Sequence, residues 1–197
     1  MKDQNLELEA KFININKDEI RKRLRDCGGV LVKPEFIQRR IAFYFPKGHE
    51  INGGWIRVRD EQDKLTMSIK VVSGEAITDQ REISLRVDNF EEAEKFLKML
   101  GCTRKSFQEN KRELWKVGDV EVMIDEWPFV DPFVEIEGGS EEKIKDVATM
   151  LGFKYEDALF GSAALITQKK YGISQDRINN ISEISFAMEN PYLSVDK

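Results

Sequence analysis

The stretch Leu6-Glu7-Leu8-Glu9-Ala10-Lys11-Phe12 decides how the rest of the chain is read. In an extended strand successive side chains point to opposite faces. Glu7, Glu9 and Lys11 therefore share one face, and Leu6, Leu8, Ala10 and Phe12 take the other. The second set is apolar enough to seek a core, so two carboxylates and an amine stand together on whatever the opposite face sees. Taken alone, this is the pattern of an ordinary half-buried strand. The remaining strands change that reading.

Sorting every alternating stretch by parity gives one consistently apolar face and one charged face. Trp55, Arg57 and Arg59 share a face in 55–60, with Ile56 and Val58 behind them. Thr66, Ser68 and Lys70 do so in 65–72, and Glu82, Ser84 and Arg86 in 81–87. Arg112 lies in 107–117. Glu121, Met123 and Asp125 alternate with Val120, Val122 and Ile124, and Glu135 and Glu137 alternate with Val134 and Ile136. A merely solvated face would mix Lys, Glu, Thr and Gln freely. Here the signs are segregated, with acids on the first strand and the two late ones and bases mainly in the middle. Like charges about 4 Å apart repel by roughly 4 kcal/mol at an effective dielectric near 20, so five clustered carboxylates call for divalent cations. Oxygen donors without His or Cys suit a hard ion such as Mg2+ or Mn2+. Arg57, Arg59, Lys70, Lys11 and Arg112 form a basic wall suited to phosphate oxygens. Acids for a metal and bases for a polyanion are the inventory of phosphoryl-group chemistry.

Composition bounds the alternatives. The chain has 197 residues, 41% hydrophobic and 34% charged, with a net charge of −5. That fits one folded domain and argues against nucleic acid or an anionic membrane as the main partner. No apolar run approaches the roughly 18 residues of a membrane span, and the first five residues lack a signal-peptide core, so a cytoplasmic location is expected. Cys27 and Cys102 each end an apolar helical pattern beside a glycine and read as core thiols. His49 is the single histidine, which rules out a His-based zinc site or a Ser-His-Asp triad.

Between the strands, Asn16 and Glu19 resemble a capping box opening a helix over 17–27, stopped by Gly28-Gly29. A strand over 36–45 follows. Asn89 caps a second helix over 90–100, stopped by Gly101. Each half thus runs from a charged strand through a helix and a glycine to a long strand with paired basic residues. The readings are a duplicated unit forming two halves of one site, or coincidence between two amphipathic helices. A third helix is expected over 140–151, and a further one from Glu156 to about Lys170 that either gates the site or covers the outside of the sheet. Tyr171 onward reads as a polar tail. About eight strands with helices between them form either an open sheet with one wet face or a barrel covered outside by helices. Trp55 and Trp115 are either core or stacking platforms.

In order and spacing, Glu7-x-Glu9-x-Lys11, Arg57-x-Arg59, Lys70, Arg81-Glu82, Arg112, Asp125 and Glu135-Ile136-Glu137 resemble the CYTH or triphosphate tunnel metalloenzyme family. The resemblance implies an α+β fold, a closed eight-stranded antiparallel β-barrel with helices packed outside, over residues 1–173, followed by a tail over 174–197. It implies Glu7, Glu9, Asp125, Glu135 and Glu137 as acids for Mg2+ or Mn2+. Lys11, Arg57, Arg59, Lys70 and Arg112 would hold the phosphates, Glu82 would fill the acidic position of the middle strand, and Glu7, Glu9 and Lys11 would be catalytic. The partner would be a small-molecule triphosphate, with monomer and homodimer both left open. Members include triphosphatases and class IV adenylyl cyclases. Metal-dependent hydrolysis of a triphosphate is the leading expectation and cyclisation of ATP the alternative, with a non-catalytic polyphosphate or nucleotide binder third. Two departures stand out. Asn110 occupies the first place of the family's Lys-x-Arg, and Ala42-Phe43 precede Tyr44-Phe45 where an Asp just before the pair is usual, leaving Arg39 and Arg40 without an assigned role.

Overall fold

The computed structural model describes residues 5–193. Eight antiparallel strands form one sheet: β1 (Glu9–Phe12), β2 (Val30–Tyr44), β3 (Gly54–Asp60), β4 (Leu65–Val72), β5 (Gln80–Val87), β6 (Thr103–Val117), β7 (Val120–Glu126) and β8 (Phe133–Glu137). Their order across the sheet is β1-β8-β7-β6-β2-β3-β4-β5. Neighbours joined by hairpins pair directly, and the two 15-residue strands β2 and β6 form the spine, paired from Val30 opposite Lys116 to Tyr44 opposite Thr103 with shifts of register between.

The sheet curls so that the residues just before β1 reach β5. Leu6 bridges Arg81, with Glu7 N–H donating to Gln80 O at 3.1 Å and Glu82 N–H to Asn5 O at 3.0 Å. Farther along the same edge, Lys11 and Leu159 exchange backbone hydrogen bonds of 3.0 and 2.9 Å. Among the described residues the contact along this edge consists of isolated bridges, and β1 and β5 form no ladder.

Five helices accompany the sheet: α1 (Lys17–Asp26), α2 (Phe90–Met99), α3 (Glu141–Met150), α4 (Ala164–Tyr171) and α5 (Gln175–Asn179). Asn16, Asn89 and Ser140 cap the first three through side-chain oxygens that accept backbone N–H groups, satisfying donors a helix start leaves free. Each of these helices has ten residues, follows a strand and runs out into a left-handed glycine: Gly28 at φ 80°, Gly101 at φ 88°, Gly152 at φ 77°. The strand-helix-glycine pattern seen twice in the sequence therefore occurs three times.

The apolar face of the sheet is the outer one. Ala10, Phe12, Val122, Ile124, Val134 and Ile136 pack against Ile20 and Leu24 of α1 and Ile144 and Val147 of α3. Ile41, Phe43, Ile56 and Val58 pack against Ala93 and Leu97 of α2. Burying a side chain of this kind is worth about 1.5–3 kcal/mol, which fixes the face each strand turns outward and leaves the charged parity inside. Trp115 belongs to the outer core, with its indole N–H donating to Glu113 Oε1 at 2.6 Å.

Three expectations need correction. β2 begins at Val30, six residues before the expected strand. Pro34 interrupts it, lacking a ladder donor, and the register shifts between Leu31 and Lys33 and again between Lys33 and Phe36. The helix expected over 156–170 is a one-turn helix at Tyr155–Asp157, then the extended 158–159 segment, then α4 alone. Backbone pairing with Lys11 outweighs helical propensity there. The expected polar tail carries α5 and a short strand, β9 (Glu183–Ile184), parallel to β6. Ile178, Ile184 and Tyr192 are buried, apolar residues too widely spaced to give a periodic signal. Residues 1–4 and 194–197 lie outside the described part. No helix among the described residues is long and apolar enough to cross a membrane.

Candidate active site

The curled sheet encloses a cavity of about 1140 Å3 on its charged side. Glu7, Glu9, Lys11, Arg57, Arg59, Lys70, Glu82, Arg112, Asp125, Glu135 and Glu137, all expected to form the site, line it. Strand pairing puts them there. Glu9 stands opposite Glu137, Lys11 opposite Glu135, Lys70 opposite Glu82 and Arg112 opposite Asp125.

The five acids expected to share a metal divide into two groups. Glu7, Glu9 and Glu137 offer oxygens all within 4.8 Å of one another. Burial first, then the neighbouring Glu7, Glu135 and Glu9, push the Glu137 carboxyl up to about 8. Burial likewise raises Glu7 to about 6, although Lys70 opposes the shift. Three crowded carboxylates, two of them resisting ionisation, form an all-oxygen donor set that a hard divalent cation would stabilise, so these residues fit Mg2+ or Mn2+.

Asp125 and Glu135 are engaged elsewhere. Arg112 grips Asp125 with two hydrogen bonds, Nε to Oδ1 at 2.7 Å and Nη2 to Oδ2 at 2.6 Å, and reaches Glu135 Oε1 at 3.1 Å. Lys11 Nζ lies 3.1 Å from Glu135 Oε2. Burial opposes ionisation of Glu135, yet Lys11, Arg112 and Lys70 together hold it well below the usual carboxylate range.

Every cation of the basic wall holds a carboxylate, although Arg59 keeps a buried Nε–H without an acceptor. Lys11 Nζ donates to Glu9 Oε1 at 2.6 Å, and Lys70 Nζ lies 2.7 Å from Glu7 Oε2 and 3.0 Å from Glu9 Oε1. Arg57 donates to Glu82 Oε2 at 2.6 Å and to Ser68 Oγ at 3.0 Å, and Arg59 to Glu61 Oε1 at 3.2 Å. Each of these cations is thus neutralised by a carboxylate of the cavity wall.

Cavity-lining residues not assigned to the site from sequence include Arg40, Glu61 and Trp127. Parity held the signal for Arg40. Ile41 and Phe43 are core residues, so Arg40 and Ala42 had to point inward. Arg39 points outward and pairs with Asp60 at 2.7 Å. Asn110, a departure from the family pattern, is fully buried. Its Nδ2 lies 3.4 Å from Asp125 Oδ1, and its Oδ1 accepts from Arg40.

The sequence matches the model of the CYTH domain over residues 5–167. A conserved hypothetical protein of Pyrococcus furiosus is similar in structure, with 26% identity, TM-score 0.63 and coverage of 77% of this chain and 94% of that one. A candidate adenylate cyclase of Vibrio parahaemolyticus gives a TM-score of 0.69 at 16% identity, covering 83% and 98%. A Hippeastrum protein described as a candidate adenylyl cyclase with a dominant triphosphatase activity gives 0.54 at 10%, covering 87% and 97%. The last two likenesses concern the fold. No curated protein matches the sequence.

Proposed function

Because the chain belongs to the CYTH domain family, we propose that it is a metal-dependent phosphohydrolase acting on a triphosphate held within the curled sheet. The reading includes a barrel closed around the substrate and Mg2+ or Mn2+ as the ion. One observation carries it: the carboxylate trio Glu7, Glu9 and Glu137 and a wall of arginines and lysines line the same cavity. A pure anion binder gains nothing from three acids beside its ligand.

Glu7, Glu9 and Glu137 would hold the ion, which when bound neutralises phosphate charge and polarises the attacking water. Arg57, Arg59 and Arg112 present forked donors to the phosphate oxygens, and Lys11 and Lys70 act as point charges. Glu9 orients both lysines, accepting from Lys11 at 2.6 Å and Lys70 at 3.0 Å. As Lys11 and Arg112 turn to phosphate, Glu135 and Asp125 are released from their ion pairs with them. Fixing the chain of phosphates at several points aligns the terminal phosphorus for in-line attack. Water oxygen bonds to that phosphorus, the bridging P–O bond breaks, and the diphosphate departs with the bond's electron pair. The water proton passes to a carboxylate lining the cavity.

Phosphorus NMR of the protein with tripolyphosphate, ATP and thiamine triphosphate, each with Mg2+ and with Mn2+, tests the reading. Orthophosphate with pyrophosphate or an organic diphosphate supports hydrolysis and identifies the preferred substrate. Pyrophosphate with cyclic AMP from ATP would replace it with the cyclase reaction, and absence of turnover would leave a binder.

A further inference from the structure

Four arginines line the cavity: Arg40, Arg57, Arg59 and Arg112. The last three each hold a carboxylate. Arg40 forms no ion pair among the described residues, although its side chain is buried. It rests on the Trp127 ring, 4.6 Å from the centroid, and its Nη2 donates to Gln38 Oε1 and Asn110 Oδ1. Both acceptors are neutral. Around it three buried N–H groups have no acceptor: Arg40 Nε, Gln38 Nε2 and Trp127 Nε1.

A buried polar group without a partner costs about 1–3 kcal/mol, and more when it is charged. Donors gathered round an unneutralised guanidinium leave a place for an acceptor carrying negative charge. Burial and the neighbouring Arg57 and Arg112 depress the Arg40 guanidinium to about 9, against the opposing pull of Asp125 and Glu135.

The position of Arg40 in the contact network gives the group a direction. From Glu7 the network runs through Lys70 (2.7 Å), Glu9 (3.0 Å), Lys11 (2.6 Å), Glu135 (3.1 Å), Arg112 (3.1 Å) and Asp125 (2.6 Å) to Asn110 and Arg40. The carboxylate trio stands at one end of this network, and at the other stands a donor cluster in which Arg40 pairs directly with no carboxylate. We propose that Gln38, Arg40 and Trp127 form an additional anion subsite that receives the phosphoryl group farthest from the carboxylate trio, and so sets the orientation of the bound polyphosphate. This deepens the triphosphate reading and rests on it for the ligand. The subsite itself rests on the unpaired donors.

The test uses the full chain and tripolyphosphate. Calorimetric affinity and the split of KM from kcat are measured for the native protein, Arg40→Gln, Arg40→Lys and, as an exposed control, Arg39→Gln. Arg40→Gln is expected to weaken binding and raise KM at least tenfold, Arg40→Lys to restore part of the loss, and Arg39→Gln to match native. Because replacing a buried arginine can unfold the chain, the Arg40 Nε–H resonance of [15N]arginine-labelled native protein is also followed during titration with tripolyphosphate. It is expected to shift as it gains an acceptor. If native protein turns over triphosphate and folded Arg40→Gln matches it in affinity and KM, the subsite falls and the function stands. If no triphosphate is turned over yet the Arg40 signal shifts on binding, the function falls and the subsite stands. A resonance unmoved at saturating tripolyphosphate, or absence of any binding, overturns the subsite.

Discussion

Glu9 and Glu137 face each other directly across the β1–β8 ladder, a placement in which like charges destabilise a sheet. With Glu7 completing the trio, this pair is expected to dominate the response to metal. Glu137→Gln should raise the melting temperature of the metal-free chain and lower its affinity for Mn2+ at least tenfold. Scanning calorimetry and metal titration measure the two effects, and unchanged affinity would remove Glu137 from the site.

The pH dependence follows from the same carboxylate. Glu137, raised to about 8 in the folded chain, favours folding fully below its ordinary value of 4.5. That contribution disappears as pH climbs through about 8. Glu7, raised to about 6, acts in the same direction. Glu135, held low by Lys11 and Arg112, has the opposite sign, its contribution vanishing as pH drops below the usual carboxylate range. In EDTA the melting temperature should fall from about pH 5 to pH 8. Saturating Mg2+ should flatten that slope, and Glu137→Gln should reduce it. A flat profile for the metal-free native chain would count against this account.

Glu9 accepts from both Lys11 and Lys70. Glu9→Gln should abolish metal-dependent turnover while the circular dichroism spectrum keeps its native form, since Lys11 retains Glu135 and Lys70 retains Glu7. Full activity in that variant would remove the site assignment.

Arg112 is the common partner of Asp125 and Glu135. Arg112→Met leaves two buried carboxylates without it, and breaking such a pair costs about 3–5 kcal/mol. Urea unfolding should show a loss of that order, recovered in part by Asp125→Asn in the same chain.

Gly53 precedes β3 at φ 69°, and a Cβ there would lie 2.0 Å from the Val72 carbonyl oxygen. Gly53→Ala pays the left-handed penalty of roughly 1–2 kcal/mol together with the clash. The β3–β4 end of the cavity should loosen, with faster amide exchange at Val72, which donates to Gly53 O at 2.9 Å.

Much of the site was legible because face is a local property. A period of two assigns each residue of Val120–Glu126 or Phe133–Glu137 to a side as soon as Val122, Ile124, Val134 and Ile136 are recognised as core. Capping chemistry likewise marked where α1 and α2 begin. The reading weakened where local and long-range preferences diverge. Pro34 hid the start of β2, and pairing with Lys11 drew 158–159 out of a helix. The apolar anchors of 174–193 were too sparse to announce burial.

The sequence by itself determined the alternation of charged and apolar faces, the capped helices, and the inventory of acids and bases with no histidine among them. Tertiary structure decided their company. Pairing β1 with β8 brings Glu9 and Glu137 together across most of the chain and separates them from Asp125, and pairing β2 with β6 sets Arg40 against Asn110. Alternation fixes which way a side chain points. Which strand lies opposite depends on the long-range closure and burial of the whole sheet, a nonlocal balance that no short stretch of residues encodes.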